Sequence, residues 1–392
     1  MNRERIHRVQ AALVQGQFDA LVVRLPENVL FLSGFWPMCG WTFLVFTAGG
    51  DSTCILRSTE KGEAEDELWD AEIVDYPAAT IDSPDSFGEI KKALQDISRG
   101  KNWKRVGYEG NFESVAPPWN IGEPVVPASD TAALLSDVFN ADRLVDATNL
   151  LNAMRGRKTP YEAEKLRRAN EIACIGLQAF FDGVAPGVTG VELVAEVEHK
   201  ILVQGTGMKG ARRVRGFAQV ATGAAETSIG YRPMEITTTR PLQEGDLALL
   251  ELGTVADGYW SDRTRVRVAG EATARQLELH ALVLEAQQKA FLGATVGAMT
   301  GDVDSAARSF LKTEGFGAEF VHVTGHGIGF RYHEPIPFIS PGGKETLLEG
   351  MVHTVEPGIY SPEWGGIRIE DNVLITGSGP EKLGPFATDL SG

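Results

Sequence analysis

Apolar and polar positions follow two different periods along this chain, and each change of period marks an element. Near the start, RERIHRVQAALVQ spaces its apolar residues at helical intervals and predicts an amphipathic helix. DALVVRL is a short apolar run bounded by polar residues, the pattern of a buried strand. TFLVFTAGGDSTCIL reads as two strands around Gly49-Gly50, SFGEIKKALQDIS as a helix, and RVGYEG as another short strand. Helices alternating with short apolar strands predict an α/β sandwich for this part of the chain.

The pattern changes at MRGRKTPYEAEKLRRANEIACIGLQAFFDGV. Thr159 is placed to cap a helix, with Pro160 at the first helical position and Glu162 three residues after the cap. That is a capping box, with proline where its missing N–H costs nothing. We place a domain boundary here, giving 1–154 and 155–392, because 392 residues exceed what one core usually serves. Inside the second domain, TGVELVAEVEHKILVQGTG (189–207) echoes TGDVDSAARSFLKTEGFG (300–317). Either two capped helices look alike, or the domain is a duplication with a site in the cleft between its halves.

Charge and cysteine content narrow the setting. The net charge of -16 argues against nucleic acid, since nothing offsets phosphate repulsion. The local basic run KGARRVRG (209–216) reads as a solvated loop or a site for a substrate carboxylate. Cys39, Cys54 and Cys174 are far apart and form no CxxC, which suggests free thiols in a reducing compartment. The amino terminus lacks the apolar core of a signal peptide, and no run of 18 apolar residues occurs, so we expect a cytoplasmic protein with no membrane partner.

Candidate chemistry concentrates in four stretches. LALLELGTVADGYWSDRTRVRV (247–268) reads as a hairpin turning at Asp257-Gly258. That turn sets Ala256 against Tyr259 and Glu251 against Thr264, so Glu251 and Asp262 lie diagonally on one face. GMVHTVEPGIY and GGIRIEDNVLIT look like a second strand pair carrying Glu356 and Glu370, with Arg368 on the side of Glu370. HVTGHGIGFRYHEP (322–335) holds three of the chain's seven histidines and sets His326 between glycines, flanked by His322 and His333. Four carboxylates and an imidazole make an oxygen-rich site suited to Mn²⁺, Co²⁺, Fe²⁺ or Zn²⁺ rather than to a structural zinc. Five such ligands can hold two ions sharing a bridging carboxylate and a water. The plainer alternatives are solvent-facing strand glutamates, and His322 and His353 as hydrogen-bonded scaffold.

In this order the motifs resemble the pita-bread metallohydrolases of peptidase family M24, which include methionine aminopeptidase, aminopeptidase P, prolidase and creatinase. The family hairpin reads Asp-Leu-Gly, Asp-Gly-Tyr, Ser-Asp-x-Thr-Arg, and this chain has ELGTVADGYWSDRTR, followed by GHGIG, HEP, TVEPGIY and GIRIED. The resemblance is dense over 155–376 and looser over the amino-terminal part. It implies an α/β (α+β) architecture, a carboxy-terminal pita-bread domain behind a smaller α/β creatinase-type domain. It implies metal ligands at Glu251, Asp262, His326, Glu356 and Glu370, with Asp262 and Glu370 bridging. It puts His333 on the scissile group, His322 elsewhere in the active site, and Arg368 beside the bridging glutamate. The implied cofactors are two divalent ions, manganese first, with iron, cobalt and zinc as alternatives. The implied activity is cleavage of an amide C–N bond in a small-molecule or short-peptide substrate, by a homodimer. The aromatics of GFWPMCGWTF (34–43) suit either that dimer contact or the core.

Two departures stand out. Glu251 replaces the family's aspartate, which puts the first ion in doubt. Gly230 stands where family peptidases carry a histidine, which predicts poor turnover of simple Xaa-Pro dipeptides. Two other readings remain at this stage: a metal-free C–N hydrolase related to creatinase or ectoine hydrolase, and a non-catalytic binding protein on the same fold.

Overall fold

A computed structural model describes residues 1–38, 41–77, 85–111, 129–232 and 238–391. Cys39 lies outside the described residues, and Cys54 and Cys174 are free thiols. The chain divides into two units, Met1–Arg155 and Gly156–Gly392.

In the first unit the helix Arg3–Gln15 starts where the Asn2 side chain accepts from the Arg5 N–H, and it buries Val9 and Leu13. It precedes a six-stranded sheet in the order Ala71–Tyr76, Ser52–Arg57, Phe43–Thr47, Ala20–Val23, Val106–Tyr108, Leu144–Asp146. The hairpin 43–57 is antiparallel, and the outer pairings are parallel. Parallel neighbours require covering crossovers. The helix Ser86–Ser98 buries Ile90 and Leu94 against Val22, Val45 and Ile55. Sequence periodicity missed the helix Pro26–Ser33 and the edge strand Ala71–Tyr76.

The second unit opens with the predicted capping box. The Thr159 N–H donates to Glu162 Oε2 at 2.8 Å, and the Glu162 N–H donates to Thr159 Oγ1 at 3.4 Å. The helix Pro160–Gly183 follows and packs with Gly190–Lys200. Ala274–Gly293 and Thr300–Thr313 form a second such pair, so the sequence echo is a repeated helix pair. The copies differ at the start of the second helix. Thr189 caps its helix, whereas Thr300 lies inside, with Met299 at the cap position.

The hairpin strands Leu247–Ala256 and Tyr259–Val268 are buried on both faces, with Val214–Thr222 completing a three-stranded sheet. Ala248, Leu250 and Leu252 face the core of the first helix pair, with Leu177, Phe180 and Val197. Leu247, Leu249, Val266 and Val268 face the core of the second, with Val283, Val303 and Leu311. Glu251 continues the second set by the two-residue period of a strand, so it stands at the end of an apolar face. A second sheet runs in the order Glu334–Ile339, Gly325–Gly327, Val352–Val355, Asp371–Thr376, Gly379–Lys382. The basic run 209–216 leads into Val214–Thr222, and the N–H groups of Arg212 and Arg213 donate to Asp257 at 3.0 and 2.9 Å. No described helix is long and apolar enough to cross a membrane.

Candidate active site

The hairpin has the register its turn demands. Asp257 and Gly258 have φ of 49° and 84°, the left-handed pair of a tight two-residue turn. Ala256 pairs with Tyr259, Gly253 with Asp262 and Glu251 with Thr264. Glu251 and Asp262 are therefore diagonal neighbours on one face.

The second carboxylate pair has a register the sequence did not reveal. Val355 pairs with Asp371, and Gly358 pairs with Arg368, so one register runs through both strand pairs. Glu356 and Glu370 face each other where that ladder is interrupted. There Glu370 turns to the hairpin: its N–H donates to Thr264 O at 3.2 Å, and Thr264 Oγ1 donates to its Oε2 at 2.6 Å. Glu370 Oε1 is buried without a partner among the described residues.

His326 enters between these carboxylates because its neighbours are glycines. A Cβ on Gly325 would lie 2.0 Å from Thr354 O, and one on Gly327 would lie 2.2 Å from Ile336 O. The His326 Nδ1–H donates to Gly327 O at 2.9 Å. That bond leaves the Nε2 lone pair facing Asp262 Oδ2 and Glu356 Oε1, each at 3.5 Å. Donor atoms of His326, Glu356 and Glu370 lie within 4.8 Å of one another, as do those of Asp262, His326 and His333. The His333 ring stands 4.1 Å from that of His326, and its Nδ1 is buried without a partner among the described residues.

Electrostatics sets this cluster apart. Burial first, then Glu251 and Glu356, push the Asp262 carboxyl well above its ordinary value. Burial and Asp262 do the same to Glu370, and burial with Glu370 pushes Glu356 to about 8. Burial and neighbouring His326 hold His333 neutral, down to about 2. Carboxylates gathered this closely need either protons or a cation. A donor set of buried carboxylate oxygens, one of them unpartnered, and an imidazole lone pair fits a divalent ion. Asp262, His326, Glu356 and Glu370 would hold it.

The expected fifth ligand, Glu251, stands apart from these two groups. Its Oε2 accepts from Arg368 Nη2 at 2.6 Å, and its Oε1 accepts from the Tyr332 hydroxyl at 3.2 Å. Arg368 also donates to Thr264 Oγ1 at 2.9 Å, to Gly230 O at 3.1 Å and to the Tyr360 hydroxyl at 3.0 Å. It positions four neighbours around the cluster. His322 is held behind it: Nδ1–H donates to Val323 O at 2.8 Å, so Nε2 accepts from the Tyr360 hydroxyl at 2.9 Å. Burial and Arg368 push His322 to about 3, which keeps it neutral. His353 is fully buried, with Nδ1 bonded to Thr354 O at 2.8 Å, in keeping with a scaffold role.

Sequence reasoning missed Tyr332 and Tyr360, although each adjoins a motif, in RYHEP and EPGIY. Gly230 is closely packed on its Cβ side. A Cβ there would meet Thr227 O at 3.0 Å and Leu249 Cδ1 at 3.3 Å, and its carbonyl is fixed by Arg368.

The chain resembles known proteins in sequence and in fold. Residues 164–377 match Metallopeptidase family M24, and residues 5–156 match the Creatinase/Prolidase N-terminal domain. An Xaa-Pro dipeptidase of Pyrococcus furiosus is 31% identical over 97% of each chain. One from Lactobacillus delbrueckii subsp. lactis is 32% identical over 95% of each. The solved prolidase of Pyrococcus horikoshii superposes with a TM-score of 0.80 at 27% identity, covering 99% of both chains. The Xaa-Pro dipeptidase of Bacillus anthracis gives 0.81 at 25% identity, again over 99% of both. Neither the metal-free nor the non-catalytic reading is favoured by these relatives. The chain is a member of metallopeptidase family M24, a metal-dependent hydrolase with a creatinase/prolidase-type domain at its amino-terminal end.

Proposed function

We propose that this peptidase cleaves the Xaa–Pro bond of a dipeptide, with a divalent ion held by Asp262, His326, Glu356 and Glu370. The observation that carries this reading is the convergence of those four side chains in a buried space, with an imidazole lone pair and an unpartnered carboxylate oxygen. The relatives that span the whole chain carry the name Xaa-Pro dipeptidase. Gly230 is closely packed on the side where a Cβ would stand, so its lack of a side chain does not by itself argue for a larger substrate.

The ion would supply Lewis-acid polarisation of the scissile carbonyl and a nucleophilic water at neutral pH. Glu356, pushed up to about 8 by burial and Glu370, would give up its proton on helping to hold the ion, and its carboxylate would lie beside the site where a proton must pass to the leaving nitrogen. Neutral His333 offers an N–H to the substrate carbonyl oxygen. Arg368 fixes Glu251, Thr264 and Tyr360 in place, and His322 orients Tyr360.

We assign the chemistry to a catalytic domain of residues 155–392 and a separate creatinase-type domain to 1–154. Manganese is the ion we assign, on the hardness of an oxygen-rich donor set. A cytoplasmic homodimer completes the reading. The free thiols of Cys54 and Cys174 suit a reducing compartment, and exposed Met38 and Trp41, at 56% and 39%, offer a dimer surface. Product analysis tests the substrate. An Xaa-Pro dipeptide should be split to free proline, while an Xaa-Pro-Yaa tripeptide and a non-peptide amide should be poor substrates. Preference for either of the latter would reject the dipeptidase assignment.

A further inference from the structure

The two ends of the carboxylate cluster are built differently. At the His326 end, the Nε2 lone pair faces Asp262 Oδ2 and Glu356 Oε1 at 3.5 Å each. Thr354 Oγ1 donates to Glu356 Oε1 at 3.0 Å, but Glu370 Oε1 has no partner among the described residues, and no charged donor among those residues reaches these atoms. At the Glu251 end, the chain supplies the donors. The Tyr332 hydroxyl lies 2.8 Å from Asp262 Oδ1 and 3.2 Å from Glu251 Oε1, and the Arg368 guanidinium lies 2.6 Å from Glu251 Oε2.

The tyrosine is held there by packing. Its ring lies against Gly253, the hairpin partner of Asp262, where an added Cβ would come within 2.8 Å of Tyr332 Cε2. Trp260 and His333 meet the ring edge-on at centroid distances of 5.7 and 4.5 Å. Tyr332 is only 7% exposed. An ion held between Glu251 and Asp262 would need about 2.0–2.2 Å to an oxygen of each. The phenol oxygen already occupies the span between those oxygens. Glutamate in place of aspartate carries the carboxylate one methylene further, and in this structure it ends on Arg368.

We infer that this chain binds a single divalent ion, at the His326–Glu356–Glu370 end, and that Tyr332 and Arg368 stand in for a second ion between Glu251 and Asp262. Asp262 is then shared: Oδ1 accepts from the phenol, and Oδ2, 3.5 Å from His326 Nε2, lies on the side where the ion would be held. The inference rests on the metallopeptidase reading above and narrows it.

The test is a metal count on the full chain, loaded with Mn²⁺ and freed of loose ions by dialysis. One Mn²⁺ per chain, with the electron paramagnetic resonance signal of an isolated ion, is expected. Two ions per chain, with a spin-coupled signal, would overturn the inference and leave the metallopeptidase reading intact. No bound ion would overturn both. The double variant Tyr332→Val, Glu251→Asp should raise the count from one to two. A count that stays at one would show that these side chains do not exclude the second ion. The wild-type count decides the question even if the variant does not fold.

Discussion

Glu370 and Asp371 are adjacent in sequence, both almost fully buried, and in opposite electrostatic states. Asp371 Oδ1 accepts from Arg263 Nη2 and Arg265 Nη2, each at 2.7 Å, and its Oδ2 accepts from Lys382 Nζ and Gln287 Nε2, each at 3.1 Å. Burial alone would raise its pKa, but Arg265, Arg263 and Lys382 outweigh burial and hold it well below the carboxylate range. Glu370 faces Asp262, Glu356 and His326, keeps one oxygen unpartnered, and is pushed up. The strand period separates them. Asp262 and Thr264 point to one face of the hairpin, and Arg263 and Arg265 point to the other. The lesson is that a buried carboxylate with its cations supplied by the chain is structural. One whose charge the chain leaves unbalanced marks the place for something else.

The contrast predicts which substitutions remove chemistry and which remove the fold. Glu370→Gln should lower turnover about a thousandfold or more, roughly 4 kcal/mol in the barrier, while the thermal midpoint stays the same or rises. Steady-state kinetics beside a melting curve will show it, and a large drop in stability would place Glu370 with the structural carboxylates. Asp371→Ala should do the reverse. Leaving buried cations unpaired costs about 3–5 kcal/mol, read by urea unfolding, while the folded fraction still binds metal. Unchanged stability with lost metal would invert the comparison.

His333→Ala should slow turnover by roughly a hundred- to a thousandfold, as for loss of one transition-state donor, while the metal content holds. Because His333 also lies within reach of Asp262 and His326, metal lost together with turnover would make it a ligand.

The smallest effect is in pH dependence, and its sign differs between the two regions. Glu356 is raised from 4.5 to about 8, so the metal-free fold is favoured below its ordinary value. That stability is lost as pH rises from about 4.5 to about 8. Metal binding displaces the proton, so the melting-temperature gap between Mn²⁺-loaded and chelated protein should widen with pH across this window. Asp371 acts oppositely: its contribution is present above the ordinary carboxylate value and fades only as pH falls below it. A gap that stays constant with pH would mean that metal and protons do not compete at Glu356.

Much of this was legible in the chain. Asp257-Gly258 is a strong signal for a two-residue turn, so the register bringing Glu251 and Asp262 together could be read from sequence. Thr159, Pro160 and Glu162 marked the helix that opens the second unit in the same way. The facing of Glu356 and Glu370 was not legible, because Glu370 leaves its own ladder to pair with Thr264. Nor was Tyr332, whose position depends on empty space over Gly253, a strand away. The fates of Glu251 and Arg368 required both strands in place, since the ion pair joins residues 117 apart in sequence.

The most direct measurement of the central claim is release of proline from an Xaa-Pro dipeptide by metal-depleted protein, before and after Mn²⁺ is returned. The account predicts no detectable hydrolysis after depletion, with recovery on Mn²⁺ to a kcat/KM of about 10⁴ M⁻¹s⁻¹ or more. Full activity in excess chelator would contradict it.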